Sequence, residues 1–400
     1  MSTDTPSSPP RQRRGDADPP PVVVKPSTAR DLAPGGPDSA TAAHRTTGRG
    51  RLAGKIAASL LVTIVCVAYV LRGVDRGAVA AELKRLTPLA VGTYALTLAL
   101  THLFRAWRWE FLLRPLGVSI PMRRLLPISS VGFMAILALP LRLGELVRPY
   151  FVARAGHMRM SAALGTVAVE RIIDGLAISL LFFGAYVASW AGGDRFPAEL
   201  GVAAWLSLLG FVGLTGFLVL ALIRTDRAIA LGLWPLRKIG VPAKRREAIG
   251  DRIRSVISGF RVLGDGKNLP LFLLQTALYW GCNGFGMWLL ARQLGLPISL
   301  GAAFATMSFT GVVLTLPNAP GLVGQFHAGV KLALLAYLPA ALVNTKGVAY
   351  AVVLHGLQTV WYVVIGLLSL PLAGGRAMSL GEVLRRSKEA ADEPDEEPAQ

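Results

Sequence analysis

The sequence predicts an all-α, polytopic membrane protein with about six spanning helices and two re-entrant hairpins of broken helix. Of its 400 residues, 52% are hydrophobic and only 16% are charged, whereas soluble domains average about 25% charged residues. The hydrophobic residues gather in runs that approach the ~20 residues a membrane helix needs. Two runs instead stop at a proline, Pro140 and Pro317, and in both cases a glycine follows four residues later. Such breaks are typical of segments that enter a bilayer without crossing it.

The chain divides by composition into three parts. Residues 1–52 are rich in Pro, Ser, Thr, Gly, Asp and Arg, so we expect a disordered cytoplasmic tail that cannot bury a core. Residues 53–372 hold the apolar runs and form the predicted membrane domain. Residues 373–400 form an acidic tail that we also expect to be disordered. The first apolar run starts near residue 56, which is too late for a signal peptide.

Six apolar runs are predicted to span the membrane. In chain order they are residues 56–71, 88–104, 161–190, 202–223, 269–290 and 348–370. The segments broken at Pro140 and Pro317 are predicted to be the re-entrant hairpins, because their prolines and glycines interrupt the helix. Full spans within 125–141 and 300–338 are the alternative.

The basic residues set the predicted orientation. With both hairpins re-entrant and the N-terminus cytoplasmic, 32 of the 42 Lys and Arg residues lie inside and 7 lie outside. The loop 224–267 alone holds 11 of them, and the positive-inside rule places it in the cytoplasm. Within this loop Ile253, Ile257 and Phe260 recur at helical spacing, so we expect an amphipathic helix on the membrane surface. Both termini are then cytoplasmic.

The two broken segments also predict an inverted repeat. ILALP at 136–140 and VLTLP at 313–317 match in pattern, and in each half two spans precede the hairpin and one follows it. The hairpins would then enter from opposite sides, an arrangement typical of transporters whose substrate site lies between the two breaks. Because the match is short, chance similarity is the alternative to true internal symmetry.

Charged residues follow the first break. Arg142, Glu145 and Arg148 lie three apart, so a helix places them on one face. There the arginines would bind a lipid phosphate, and Glu145 would orient one of them. An ordinary positive-inside loop with a stray salt bridge is the alternative.

A second charged group lies in the next predicted span. Glu170 and Asp174 share a helix face, and Arg171 lies three residues from Asp174. If the helix begins near Ser161, Glu170 lies about 13 Å along it, where charge inside a bilayer is costly and usually functional. All three are predicted residues of the lipid-binding site: Arg171 would bind the headgroup, and Glu170 and Asp174 would orient the arginines or carry protons. In the alternative the span runs from Ile172 to Trp190, and Glu170 and Arg171 lie at the interface.

The second break predicts a neutral counterpart. Its predicted lipid-binding residues are Pro317, Asn318, Pro320, Gly321, Gly324, Gln325 and His327. The prolines and glycines break the helix and let the backbone approach a ligand, while the amide and imidazole groups supply hydrogen bonds. A plain kinked connection between two helices is the alternative.

Arginine and tryptophan alternate in RAWRWEFLLRPLG at 105–117. Indole rings suit the depth of the lipid headgroups and guanidinium groups reach the phosphates. The predicted headgroup-interface residues are therefore Arg105, Arg108, Trp109 and Arg114.

Several function classes are excluded by what the sequence lacks. It contains no Walker loop, GxSxG, HExxH or dinucleotide fingerprint, so we expect no catalytic residue and no cofactor. The two cysteines lie in separate apolar runs and give no metal-ligand spacing, so we expect no metal. We assign the net charge of +18 to membrane topology and anionic lipid contacts rather than to nucleic acid.

Four stretches resemble a known family. They are RWEFLLRPLG (108–117), LRLGELVRPY (141–150), VAVERIIDG (167–175) and APGLVGQFH (319–327). They are similar to the lysylphosphatidylglycerol synthase transmembrane-region, or flippase-like, family over roughly residues 52–372. The last stretch departs from the usual pattern, with Val323 where glycine is common and His327 where an acid is common. The resemblance implies a polytopic protein that handles a lipid, here as a stand-alone member without the aminoacyltransferase domain.

Together these features favour a lipid flippase or transporter of the inner membrane. Its expected substrate is an anionic phospholipid or a polyprenyl-phosphate-linked lipid. One alternative is a membrane-embedded enzyme that acts on a lipid phosphate, with Glu170 or Asp174 as general base. The other is a non-catalytic scaffold for cell-envelope glycosyltransferases. The expected partners are anionic membrane lipids, with a glycosyltransferase as the protein partner in the scaffold alternative and no nucleic acid.

Overall fold

A computed structural model describes residues 61–139, 144–191, 197–315 and 320–374, with residues 382 and 385–387. Every regular element in this part of the chain is helical, so the predicted all-α class is confirmed. The helices are α1 Leu61–Leu71, α2 Arg76–Leu83, α3 Pro88–Leu113, α4 Met122–Ala138, α5 Val147–Ala155, α6 Met160–Ala191, α7 Ala198–Ile223, α8 Thr225–Lys238, α9 Ala243–Ser258, α10 Asn268–Gln293, α11 Leu300–Val313, α12 Gln325–Leu334, α13 Ala340–Leu342 and α14 Val348–Gly374. The predicted tail 1–52 lies outside the described residues, as does most of 373–400.

Long apolar helices make the chain a multi-pass membrane protein. Within the described ranges, three segments are long and apolar enough to cross a bilayer: Pro88–Leu116, Ala198–Ile223 and Ala340–Ala373. Leu206, Leu209 and Ile223 of α7 are each at least 60% exposed, which is the pattern of a helix that faces lipid. The 32 residues of α6 and the 26 of α10 also exceed the ~30 Å hydrocarbon core at about 1.5 Å per residue.

Local capping fixes where the long helices begin. The Thr87 hydroxyl accepts the Ala90 backbone N–H at 3.2 Å, and Pro88 occupies the first helical position of α3. At α10 the Asp265 carboxylate accepts the Asn268 backbone N–H at 2.8 Å. The Asn268 side-chain amide donates to the same carboxylate and holds the pKa of Asp265 below its usual value.

The segments predicted to be hairpins are built from short helices. At about 1.5 Å per residue, α4 is ~26 Å long and α11 is ~21 Å long, while their partners α5 and α12 are ~14 and ~15 Å long. None reaches the ~30 Å of a hydrocarbon core. These lengths fit re-entrant segments better than full spans.

Within each hairpin the two helices pack antiparallel. Gly144 lies against Ala135 and the side chain of Arg148 lies against Gly132, so residue numbers rise on one limb as they fall on the other. In the second hairpin the amide of Gln325 donates to the carbonyl of Val313 at 3.3 Å, and Gly329 lies against Thr310. A side chain on Gly132 or Gly144 would overlap the opposite limb, so glycine permits the close approach.

The packing repeats in the two halves with inverted direction. Helices α3 and α10 pack antiparallel along their length, with Thr93 beside Gln293 and Thr97 against Gly286. Helix α14 packs on α4 of the first hairpin, and α6 packs on α11 of the second hairpin.

Two matched contacts fit such a repeat. Gly366 lies against Met134 and Ile178 lies against Gly311, and Met134 and Gly311 each lie six residues before the proline of their break. Such matched packing supports true internal symmetry over chance similarity.

Helix α9 differs from its prediction. Ile257 and Phe260, expected on the membrane surface, are each 6% exposed and pack into a core with α4, α5 and α6. Gly165 of α6 and Gly259 after α9 bring the two backbones together, because a Cβ on either would overlap the other segment. The apolar face of α9 is therefore covered by protein, a tertiary contact that helical spacing alone does not distinguish from a lipid contact.

Candidate functional site

A cluster of buried charges lies where α3, α5 and α6 meet. Glu170 and Asp174 lie one turn apart on α6, and Arg108 of α3 donates to both. Its guanidinium lies 2.5 and 2.7 Å from the two oxygens of Asp174 and 2.8 Å from Oε1 of Glu170. Helix α6 begins at Met160, close to its predicted start, so Glu170 lies about 15 Å along it.

Two more arginines share Glu170. Arg148 of α5 donates to Oε1 at 3.0 Å and Arg171 donates to the same oxygen at 2.7 Å. The Trp280 indole N–H of α10 donates to Asp174 at 3.1 Å. A single carboxylate oxygen of Glu170 thus accepts from three guanidinium groups, and the cluster joins α3, α5, α6 and α10.

Aromatic rings cover the faces of the guanidinium groups. The Arg148 guanidinium carbon lies 4.1 Å from the ring centre of Trp109 and 4.5 Å from that of Phe133. That of Arg105 lies 3.8 Å from Phe133 and 5.5 Å from Tyr279. Cation–π contacts stabilise arginine most where water is excluded, so these rings replace part of the lost hydration.

Within the described residues, Arg105 is the cation of this cluster that makes no ion pair with a carboxylate. The ion pairs in the described part of the chain engage Arg108, Arg148 and Arg171, and none engages Arg105. Its buried Nε has no hydrogen-bond partner there. Four arginines thus meet the two carboxylates at Glu170 and Asp174, which leaves the cluster with excess positive charge.

Arg105 borders a cavity of about 470 Å³ between the two hairpins. This is the size of small-molecule sites in proteins, about 300–1,000 Å³. Its lining includes the charged residues Arg105, Glu145, Arg171 and Asp174 and the neutral polar residues Asn283, Thr310, His355 and Gln358. Tyr279, Trp280 and Tyr362 supply aromatic surface.

The neutral polar residues come from α10, α11 and α14, and one of them contacts the second hairpin. His355 of α14 donates from Nε2 to the Gly321 carbonyl at 2.8 Å, since a carbonyl can only accept. Gly321 has a φ of 73°, a left-handed conformation that favours glycine. The His327 ring lies 4.8 Å from His355 between centres. Within the described residues, no three His, Cys, Asp or Glu side chains lie close enough to hold a metal ion.

Several predicted lipid-binding residues meet at this cavity. Glu145, Arg171 and Asp174 line it, while Arg148 and Glu170 support it from the ion cluster. Pro320 opens the short turn Pro320–Leu322, and Gly324 packs against α1 instead. Gln325 lies within its own hairpin and His327 lies behind His355. Arg142, Pro317 and Asn318 lie outside the described residues.

The predicted headgroup interface is corrected at two positions. Arg108 and Trp109 are fully buried in the protein interior rather than at lipid headgroups. Arg105 turns towards the cavity, and Arg114 is half-exposed beside Glu110 at 2.6 Å. On α3 the spacing of Arg105, Arg108 and Trp109 places them on one face, which the neighbouring helices cover. The sequence shows this spacing, but it does not show that neighbouring helices bury the face.

The aromatic lining was not predicted. Tyr279 and Trp280 lie on α10, Phe133 on α4 and Tyr362 on α14, and each contacts the cluster or lines the cavity. The adjacent aromatic pair at 279–280, within a predicted span, is the one signal that points to it.

Comparison with known proteins gives two matches. The model of a family described as "Lysylphosphatidylglycerol synthase TM region" matches residues 56–366. "Glycosyltransferase AglD" of Haloferax volcanii is 24% identical over 370 residues, covering 84% of this chain. The chain spans 58% of the length of that relative. No solved structure matches.

Proposed function

The chain belongs to the lysylphosphatidylglycerol synthase TM region family, and from this premise we propose that it is a flippase for a phosphate-bearing lipid. The headgroup would pass through the cavity between the two hairpins. The proposed substrate is an anionic phospholipid or a polyprenyl-phosphate-linked lipid of the inner membrane. Both termini would lie in the cytoplasm, as the distribution of basic residues favours.

The proposal rests on one observation. Arg105 faces the cavity, and among the described residues it has no carboxylate partner. An arginine inside a membrane protein is costly unless an anion accompanies it. A lipid phosphate supplies that anion, and its oxygens match the fork of guanidinium donors. Arg171 would be the second donor, because its side chain is 37% exposed and lines the same cavity.

The surroundings of the cavity suit a lipid. Phe211 and Leu214 of α7 form part of its wall, and the outer surface of α7 is covered with exposed apolar side chains. A headgroup held in the cavity would leave its acyl chains in the bilayer beside this helix. The two hairpins would open and close the cavity in turn, as broken helices do in transporters.

A sugar-bearing lipid is the favoured subclass of substrate. The relative from Haloferax volcanii is named a glycosyltransferase, and Tyr279, Trp280 and Tyr362 line the cavity. Aromatic rings with a polar atom suit a ligand that has both apolar faces and hydroxyl groups. The proposed protein partner is accordingly a glycosyltransferase of the cell envelope.

An enzyme acting on a lipid phosphate is the second candidate function. Glu145 and Asp174 both line the cavity and would supply acid or base groups, and the name of the relative also points to catalysis. Lipid analysis of a deletion strain separates the two functions. A missing lipid species indicates an enzyme, whereas an unchanged set of lipids with an altered distribution between leaflets indicates a transporter.

Transport in proteoliposomes tests the main proposal. Fluorescent phosphatidylglycerol and a fluorescent polyprenyl-phosphate sugar serve as probes, and a membrane-impermeant quencher reports which leaflet holds them. We expect Arg105→Gln to slow transport of at least one probe tenfold or more, which corresponds to about 1.4 kcal/mol. The matched control is Arg114→Gln, which removes one charge from the end of the same helix outside the cavity. Equal rates in wild type and Arg105→Gln would contradict the proposal.

A further inference from the structure

A second recess, of about 310 Å³, lies at the start of α6. Helix α9, the short helix Arg261–Gly264 and the turn after α3 form its other walls. We call it the basic recess. Its polar lining consists of Arg159, Asp251, Arg254, Ser255, Ser258 and Arg261.

The basic recess has more positive than negative charge. Arg254 pairs with Asp251 at 3.1 Å and with Asp226 at 3.5 Å. Arg159 and Arg261 make no ion pair with any described residue. Two guanidinium groups without counter-ions therefore border one small recess, and this arrangement is suited to an anion with several oxygens.

Hydroxyl and backbone donors lie beside these arginines. Ser255 accepts a hydrogen bond from Ser161 at 2.6 Å, and Ser258 donates to the backbone carbonyl of Ser255 at 2.6 Å. The backbone N–H groups in the first turn of α6 have no acceptor within the helix, and Ala162 of that turn lines the recess. The positive end of the α6 dipole adds to the field of the arginines.

The exposed face of the neighbouring helix fits a position at the membrane surface. Helix α8 packs on α9, with Leu233 against Gly250. On its other side Leu231 and Trp234 are more than half exposed, and the Lys238 ammonium lies 4.3 Å from the Trp234 ring centre. Apolar side chains flanked by a lysine are typical of a helix lying among lipid headgroups. A phosphate at that level belongs to a lipid more readily than to a soluble compound.

We propose that the basic recess binds the phosphate of an anionic lipid headgroup at the membrane surface, with Arg159 and Arg261 as its ligands. The site is separate from the central cavity, because Arg159 and Glu170 lie about 17 Å apart along α6 at 1.5 Å per residue. It does not depend on transport, since a lipid held here contacts neither hairpin. Anionic lipid would gather next to the protein at this site.

Photolabelling of the full-length protein in nanodiscs tests the proposal. The probe is a phosphatidic acid with a photoreactive group near its phosphate, and the labelled peptides are identified by mass spectrometry. We expect labelling at the recess, near Met158 and Ser258, and a loss of tenfold or more in Arg159→Gln/Arg261→Gln. The matched control Lys244→Gln/Arg245→Gln removes two exposed charges from the start of α9, outside the recess, and should label as wild type does.

Competition and a conservative variant complete the test. Short-chain phosphatidic acid should displace the probe, while inorganic phosphate at the same concentration should not; equal displacement by inorganic phosphate would overturn the assignment to a lipid. Arg159→Lys/Arg261→Lys should keep at least part of the labelling, which separates lost charge from lost folding. Wild-type labelling of the recess in Arg159→Gln/Arg261→Gln, or equal loss in the Lys244→Gln/Arg245→Gln control, would overturn the proposed ligands.

Discussion

Glu170 is the residue on which the buried ion cluster depends. One of its carboxylate oxygens accepts from Arg108, Arg148 and Arg171. Removing one member of a buried ion pair costs more than the pair contributes, because the remaining charge stays buried without a partner. In this cluster the loss would affect three arginines at once.

We expect Glu170→Gln to destabilise the protein by about 3–5 kcal/mol, the range seen when a buried pair loses one partner. Thermal unfolding of the purified protein in detergent measures the change as a lower midpoint. Glu110→Gln removes a carboxylate from the more exposed pair with Arg114, where about 1 kcal/mol or less is expected. Similar shifts in the two variants would contradict the central role of Glu170.

The sequence predicted the two carboxylates of this cluster but not their pairing with Arg108. Glu170 and Asp174 were identifiable because charge four residues apart inside an apolar run is expensive and places both groups on one face. Their partner Arg108 lies 62 residues before Glu170, on a helix whose arginines and tryptophans also fit a lipid interface. Only the packing of α3 against α6 distinguishes the two environments.

For the helices, the sequence predicted where a helix breaks better than it predicted what each helix face contacts. Proline fixes φ and removes a backbone donor, and glycine weakens a helix, so Pro140 and Pro317 with the glycines after them marked the ends of α4 and α11 from sequence alone. The apolar face of α9 was assigned to lipid, yet it packs on α6. A helical stripe shows that a face is buried but does not show what covers it.

The antiparallel pairing of α3 and α10 is testable by cross-linking. Thr93 and Gln293 are hydrogen-bonded at 2.9 Å, so Thr93→Cys/Gln293→Cys should form a cross-link with a short bifunctional reagent. The experiment uses a background in which Cys66 and Cys282 are replaced by serine. Thr93→Cys/Leu274→Cys joins the same helices at opposite ends and should not react. Cross-linking of the Leu274 pair alone would indicate a parallel arrangement and overturn the inverted repeat.

The whole molecule combines near-symmetric packing with an asymmetric site. Arg148 and Gln325 each lie eight residues after the proline of their break, yet the first joins the ion cluster and the second donates to Val313 within its own hairpin. The cavity between them takes charged lining residues from α3 and α6 and neutral polar ones from α10, α11 and α14. A transporter with such a lining would bind an anionic headgroup more tightly from one side.

Orientation in the membrane is predicted from the basic residues and is open to direct test. A membrane-impermeant maleimide should label Glu199→Cys, at the exposed start of α7, in intact cells. It should label Arg245→Cys, in the basic loop, only after the cells are permeabilised, because the positive-inside rule places that loop in the cytoplasm. Both single variants are made in the cysteine-free background. The reverse pattern would invert the orientation and place the basic recess at the outer surface.

We propose that Arg105 binds the phosphate of a lipid inside the cavity between the hairpins. An experimental structure of the full-length protein in nanodiscs that contain the proposed lipid substrate tests this binding. We expect phosphate density within hydrogen-bond distance of the Arg105 guanidinium, with the acyl chains leading out beside α7. A lipid-bound structure in which the phosphate lies elsewhere and Arg105 pairs with a carboxylate of the protein would contradict it.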